Sequence, residues 1–260
     1  MKILVCIKQV HDPETIFRVD KSTGLVEPEG QVKYWMNHAD EFAVEEAILI
    51  KEGHPGTVVD VLTVGPDRAA RLLERAVGMG ADNGVHLLVP EEGYISPLII
   101  ASWIASYASD RKYDLILAGV MAEDHMQGQV GPLLAELLSL PCATSVIFED
   151  VGPEGDKVHV EREIEGGLRD VLELDLPALL TVQTGINKPR YPSLSNLLRA
   201  KKQEPFVMDR ETLPWVEERE EVLSSHYPGK SRIGVVLEGD QREKASQLLQ
   251  ILEKKAFISS

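Results

Sequence analysis

Along the first 145 residues, short apolar runs alternate with stretches where apolar positions recur every three or four residues. Ile3–Ile7, Val58–Val64, Val85–Val89 and Leu115–Gly119 are nearly continuous in aliphatic side chains, the pattern of parallel strands covered on both faces. Between them the period is helical. Asn37 is positioned to cap a helix reaching about Gly53, with Asp40 and Glu41 in its first turn, where the helix dipole favours negative charge. Asp67 is the expected cap of the next helix, whose Ala70, Leu73, Ala76 and Val77 share a face. Ser96-Pro97 opens a third as cap and first-turn proline, followed at helical spacing by Leu98, Ala101, Ala105 and Ala108. A fourth starts near residue 127 and carries the stripe Val130, Leu133, Leu134, Leu137 and Leu138.

This alternation predicts an α/β fold, a doubly wound parallel sheet. Ligands of such sheets lie beyond the C-terminal ends of the strands, which points to Lys8–Asp12, Gly65–Pro66 and Val120–Gln129. After residue 148 the pattern changes. Val158, Val160 and Arg162, the turn Glu165-Gly166-Gly167, and Leu172, Leu174 and Leu176 read as a β-hairpin insertion, ended by Pro177 and followed by a strand through Leu179–Gln183. A turn-rich loop, Gly185 to Pro192, leads into a short basic helix, Ser193 to Lys202. From 203 to 230 charge and proline dominate, and an extended arm is expected there. A last strand at Ile233–Leu237 and a helix from Asp240 to about Lys255, striped with Ala245, Leu248, Leu249 and Leu252, close the chain. The expected organisation is an α/β domain over 1–202, an arm over 203–232, and a terminal strand and helix over 233–260 that pack on the core or on a partner.

Composition narrows the functions available. The net charge of −15 over 260 residues excludes a nucleic-acid binder, which needs a basic surface. No apolar run approaches the roughly eighteen residues of a membrane span, so direct membrane insertion is not expected. The opening Met1–Ile7 reads as a first strand rather than a signal peptide, and a cytoplasmic location is expected. Cys6 and Cys142 are far apart in apolar runs, and the seven histidines are scattered, so no metal site is expected.

The chain lacks a P-loop, a GxSxG elbow and an HExxH helix. Gly78 to Gly84 has the glycines of a dinucleotide fingerprint, but with wrong spacing and after a helix, so it reads as a helix stop. The segment Gly119 to Gly131 is more informative, because it leaves a buried strand and enters a helix. Free N–H groups and the dipole at a helix start form an anion site, and Gly128 and Gly131 would let a phosphate approach the backbone. An ordinary βα loop with a polar cap is the alternative reading. Glu123, Asp124 and His125 are adjacent in this loop, but sequence neighbours rarely converge on one reacting atom, and no catalytic residue is assigned. Lys188, Arg190, Arg199, Lys201 and Lys202 surround Tyr191-Pro192-Ser193-Leu194. An apolar tip in a charged rim is a docking pattern, while the spacing also allows Leu194 to pack with Leu197 and Leu198 on the protein's own core.

Several segments together resemble one family. Glu161-Arg162-Glu163-Ile164-Glu165-Gly166-Gly167, then Leu176-Pro177-Ala178 and Leu180-Thr181, resemble the signature of electron transfer flavoprotein β subunits. Asn187 to Lys202 resembles that family's partner-recognition loop and basic helix, and Met36-Asn37, Glu45-Glu46-Ala47 and Ala76 to Asp82 match as well. The resemblance runs in register from Met1 to about Lys202. It implies an adenine-nucleotide α-hydrolase-like fold that buries one AMP, beside an α subunit that holds FAD. It implies a carrier that takes electrons from acyl-CoA dehydrogenase-like enzymes to a membrane quinone oxidoreductase. By position, the nucleotide site comprises Cys6, Asn37, His38, Ala39, Asp40, Val64 and the loop from Gly119 through Ala122, Glu123, Asp124, His125, Met126, Gln127, Gly128 and Gln129 to Val130. Backbone amides around Ala122, His125, Gly128, Gln129 and Val130 would hold the phosphate. Tyr191, Leu194, Leu197 and Leu198 fall on the docking element, Leu194 as its anchor. The chain departs from the AMP-binding form, which often carries Asn-Gln-Thr-Gly-Gln where Gly128-Gln129-Val130-Gly131-Pro132 stands. Gln-Val-Gly-Pro is common in the electron-bifurcating branch, whose β subunit holds a second FAD and whose donor is NADH, but that branch's preceding Asp-Gly-Asp-Thr is replaced by Asp124-His125-Met126-Gln127. The fold class also admits a stand-alone adenine-nucleotide-binding module, against which the long arm argues.

Overall fold

In the computed structural model, strand β1 (Lys2–Ile7) is the centre from which the sheet grows in both directions. The residues described are 1–20, 26–90, 94–152, 154–227 and 234–255. Short ribbons follow β1: β2 (Gln9–His11) pairs with β5 (Tyr34–Met36), and β3 (Phe17–Val19) with β4 (Val26–Pro28). Helix α1 (His38–Gly53) leads to β6 (Val58–Gly65), and α2 (Ala70–Met79) to β7 (Asn83–Leu88). Helix α3 (Pro97–Ala108) leads to β8 (Leu115–Gly119), and α4 (Val130–Leu138) to β9 (Cys142–Val151). The hairpin β10 (Lys157–Ile164) and β11 (Leu168–Asp175) precedes β12 (Ala178–Val182), α5 (Leu194–Ala200) and β13 (Phe206–Asp209).

Among the described residues nine strands form one sheet, in the order β11-β10-β9-β12-β8-β1-β6-β7-β13. From β9 to β13 every pairing is parallel, and β10 pairs antiparallel with both β9 and β11. Alternation within β1 sorts the two cores. Ile3, Val5 and Ile7 pack with α1 and α2 on one face, and Leu4 and Cys6 with α3 and α4 on the other. The chain runs from β1 to β6 on one side and later enters β8 on the other, so the strand order reverses between β1 and β8. Such a switch point opens a crevice at the strand ends.

Several sequence expectations are corrected. Asp67 does not cap α2; Pro66 caps a 3-10 turn, Asp67–Ala69, that runs into it. Asn37 stands at the N-cap of α1, but its side chain makes no cap bond. The helix expected near 127 begins at Val130. The ten-residue β9 and the short ribbons carry pairing that the apolar pattern did not reveal. The arm is not wholly extended over the surface: β13 completes the sheet edge beside β7, and Leu213 is only 5 % exposed. No strand forms at Gly234–Leu237, where Val235 and Val236 are exposed; Ile233, the start of the expected strand, lies outside the described residues.

Residues Met1–Ser224 form one unit and Ser225–Ser260 a second. In the second, α6 (Gln241–Lys254) opens with a capping box: Asp240 accepts from the Arg242 and Glu243 N–H groups, and Glu243 accepts from the Asp240 N–H. Among the described residues no helix is long and apolar enough to cross a membrane.

Candidate functional site

The crevice between β1 and β8 is held open by a buried carboxylate. Asp40, in the first turn of α1, accepts the Lys8 N–H through Oδ2 at 2.7 Å and the Gly119 N–H through Oδ1 at 3.0 Å. It thus ties the ends of two neighbouring strands to one helix. Burial pushes its carboxyl up to about 7, although Asn37 and the two N–H groups favour the charged form. Gly119 has to be a glycine: a Cβ there would collide with Asp40 Oδ1 and lie 2.8 Å from Ala39 Cβ. Asn37 uses its side chain to fix the loop above. Its Nδ2 donates to Met121 O and its Oδ1 accepts the Glu123 N–H, both at 3.0 Å.

The loop then turns through two left-handed residues, Met126 (φ 53°) and Gly128 (φ 61°). At Gly128 a Cβ would meet Val120 O at 3.2 Å. α4 starts at Val130 with no side chain capping it, so its first N–H groups lack intrahelical partners and face the crevice as an anion site. One cation stands at the rim. Lys8 Nζ lies 2.6 and 2.8 Å from the carboxylate oxygens of Asp124 and 3.4 Å from His125 Nδ1. His125 is held below its ordinary range, first by burial and then by Lys8.

The cavity so enclosed has a volume of about 150 Å3 and opens to solvent at its mouth. Its walls differ in chemistry. Lys8, Asn37, Asp40 and the loop supply its polar lining; Leu62, Val64, Ile95, Pro97, Ile100 and Ile104 supply its aliphatic lining. Cys6 belongs to the apolar wall. Burial, then Asp40, pushes its thiol up to about 12, so it is a neutral packing group, not a nucleophile. Free N–H groups and aliphatic side chains in one cavity fit a phosphate joined to a flat base. Among the described residues no cluster of three or more His, Cys, Asp or Glu could hold a metal.

A family model described as electron transfer flavoprotein domain matches residues 25–210. The chain is 35 % identical to the electron transfer flavoprotein subunit beta of Bacillus subtilis, over 99 % of this chain and 100 % of that one. It is 38 % identical to the subunit beta of Bradyrhizobium diazoefficiens over 95 % and 97 %, and 39 % identical to the human subunit beta over 80 % and 81 %. The chain belongs to the electron transfer flavoprotein β-subunit family.

In this electron transfer flavoprotein β chain, eleven residues expected at the nucleotide site line the cavity: Cys6, Asn37, Asp40, Val64, Gly119, Ala122, His125, Gln127, Gly128, Gln129 and Val130. Five do not. Ala39 is buried beneath Gly119, and the His38 ring stacks edge-on against Phe42 at 5.2 Å. Glu123 and Asp124 shape the loop through Asn37 and Lys8, and Met126 points outward. Gly131 lines the cavity, yet its missing side chain serves packing: a Cβ would collide with Thr181 Cγ2 on β12. The isoleucines of α3 went unrecognised because an aliphatic stripe reads as core. Lys8 was legible only as a residue at a strand tip.

The two segments that carried much of the family resemblance touch. Arg190 donates from Nε and Nη2 to the buried Glu45 at 2.8–3.0 Å, its N–H donates to Glu45 as well, and Nη1 reaches Glu52 at 2.6 Å. Asn187 Nδ2 donates to Phe42 O at 2.9 Å and to Glu46 Oε2 at 2.6 Å. The loop before α5 is therefore bolted to α1. Beyond it Tyr191 and Leu194 are 88 % and 73 % exposed, and Leu198 is exposed. Leu197 is half-buried and approaches Gly78 so closely that a Cβ there would lie 3.0 Å away.

Proposed function

We propose that this chain is the β subunit of a heterodimeric electron carrier, with AMP bound structurally in its own cavity and FAD held by an α subunit. The observation that carries the nucleotide assignment is the uncapped start of α4, which lines the switch-point cavity together with the aliphatic side chains of β6 and α3. In this reading the N–H groups of Gln129, Val130 and Gly131 and the Lys8 ammonium receive the phosphate, and the aliphatic side of the cavity receives the base. FAD, when bound by the partner, supplies the redox chemistry. This chain's residues bind, orient and exclude water, and none breaks a bond. Donors are acyl-CoA dehydrogenase-like enzymes, which dock on Tyr191, Leu194 and Leu198, and the acceptor is a membrane quinone oxidoreductase. The setting is cytoplasmic.

A second reading follows from Gln129-Val130-Gly131-Pro132: the cavity holds a second FAD, and the complex bifurcates electrons from NADH. Cofactor counting separates the two. The heterodimer is denatured, and FAD and AMP are quantified against protein. One FAD and one AMP are expected. Two FAD, no AMP and NADH-dependent flavin reduction establish the bifurcating form, and a heterodimer without flavin overturns both.

A further inference from the structure

The segment after β13 does not leave the molecule; it runs along α3 towards the mouth of the cavity. Arg210 lies 4.8 Å from the centre of the Trp103 ring, Leu213 is buried in the core beside it, and Trp103 Nε1 donates to Pro214 O at 3.0 Å. Two acids then reach the start of α3. Glu218 accepts the N–H groups of Arg219 and Glu220 at 2.9 and 3.1 Å, which hold its carboxyl low against burial. Glu220 Oε2 accepts the Tyr94 hydroxyl at 2.8 Å. The same hydroxyl accepts Gln127 Nε2 at 2.8 Å, and the Tyr94 ring meets His125 edge-on at 5.4 Å. Gln127 and His125 line the cavity, as do Ile95 and Pro97 beside Tyr94.

We propose that residues 206–220 are a strap that positions the nucleotide loop, and that Tyr94 is the joint between them. One hydroxyl joins the loop to the strap, and the ring holds the imidazole beside it. A nucleotide that fixes Gln127 and His125 therefore also fixes residues 214–220, and a docked strap preorganises the loop for the nucleotide; the two effects are equal by linkage. The inference rests on the cavity being a nucleotide site. Tyr94 touches the loop and not the ligand, so it is a positioning residue.

The test uses the co-expressed complex, stripped of nucleotide and reloaded with AMP or FAD, with hydrogen exchange read over residues 214–224. Nucleotide is expected to slow exchange there in the wild type by a factor on the order of five. Tyr94→Phe keeps the ring on His125 but removes both hydrogen bonds. It is expected to bind nucleotide on the order of fivefold more weakly and to show no protection of the strap. Glu220→Gln, whose amide oxygen still accepts the phenol, is expected to keep the coupling. Equal protection in Tyr94→Phe and wild type, or none in a wild type that binds nucleotide, overturns the strap. If neither AMP nor FAD binds the wild type in direct titration, the nucleotide assignment itself has failed, and the strap falls with it.

Discussion

A methyl group added at Gly119 would strike the Asp40 carboxylate, which cannot withdraw without releasing the N–H groups of both Lys8 and Gly119. Gly119→Ala is therefore expected to cost roughly 2–4 kcal/mol, read as a lowered urea midpoint together with lost nucleotide retention. A second, half-buried acid adds to the pH response. Glu149, on β9, is pushed up from 4.5 to about 8 by burial and by its hydrogen bond to Glu46, with Asp150 adding to the effect. Its folded state thus holds a proton that the unfolded chain has lost, so its contribution to stability falls as pH rises from about 4.5 to about 8. Asp40 acts with the same sign between 3.8 and about 7. Glu149→Gln is expected to flatten the upper part of this slope, so that thermal stability at pH 8 and above exceeds the wild type's. An unchanged slope would show that Glu149 is ionised in the fold. At this scale the sequence was legible wherever backbone geometry left a mark. Gly119, Gly128 and the polar loop stood out, but the partners of Asp40 lie 32 and 79 positions away, and no local pattern announces them.

The loop before α5 depends on a helix that precedes it by about 140 residues. Glu45 is buried, and Arg190 is its cation, with a guanidinium side chain 34 % exposed. Removing that cation leaves an unpaired buried charge, and Arg190→Ala is expected to cost about 2–3 kcal/mol, below the range for a fully buried pair because water reaches the guanidinium. Glu52→Ala removes only the exposed arm of the network and is expected to cost under about 1 kcal/mol. Chemical denaturation of the two variants compares them directly, and equal losses would deny Glu45 its special place. The helices and the central strands were readable from periodicity because each buries a continuous face. β13 was not: four residues, bounded by charge and paired along one side only, generate no period. Gly234–Leu237 shows the converse. An apolar run becomes a strand only where a neighbour offers hydrogen bonds, and within its own unit no described residue does so.

Across the molecule the charge is −15, yet Lys188, Arg199, Lys201 and Lys202 are exposed around the apolar tip of Tyr191 and Leu194. In the proposed docking, a small basic island on an acidic body would orient encounters as well as anchor them. Leu194→Ala is expected to leave stability within about 0.5 kcal/mol while weakening dehydrogenase docking by about 1–3 kcal/mol, measured as binding of the intact heterodimer. A variant that loses stability instead would return Leu194 to the core. The position of β13 also bears on synthesis. The sheet's last edge and the Leu213 that seals α3 are made after nearly four-fifths of the chain, so an emerging polypeptide leaves the edge of β7 and the Leu213 side of α3 uncovered throughout that time. Domains fold as units as they are made; here the unit is unfinished until the strap arrives, and a ribosome that stalls before residue 206 releases a chain with an open hydrophobic flank, a natural substrate for chaperones.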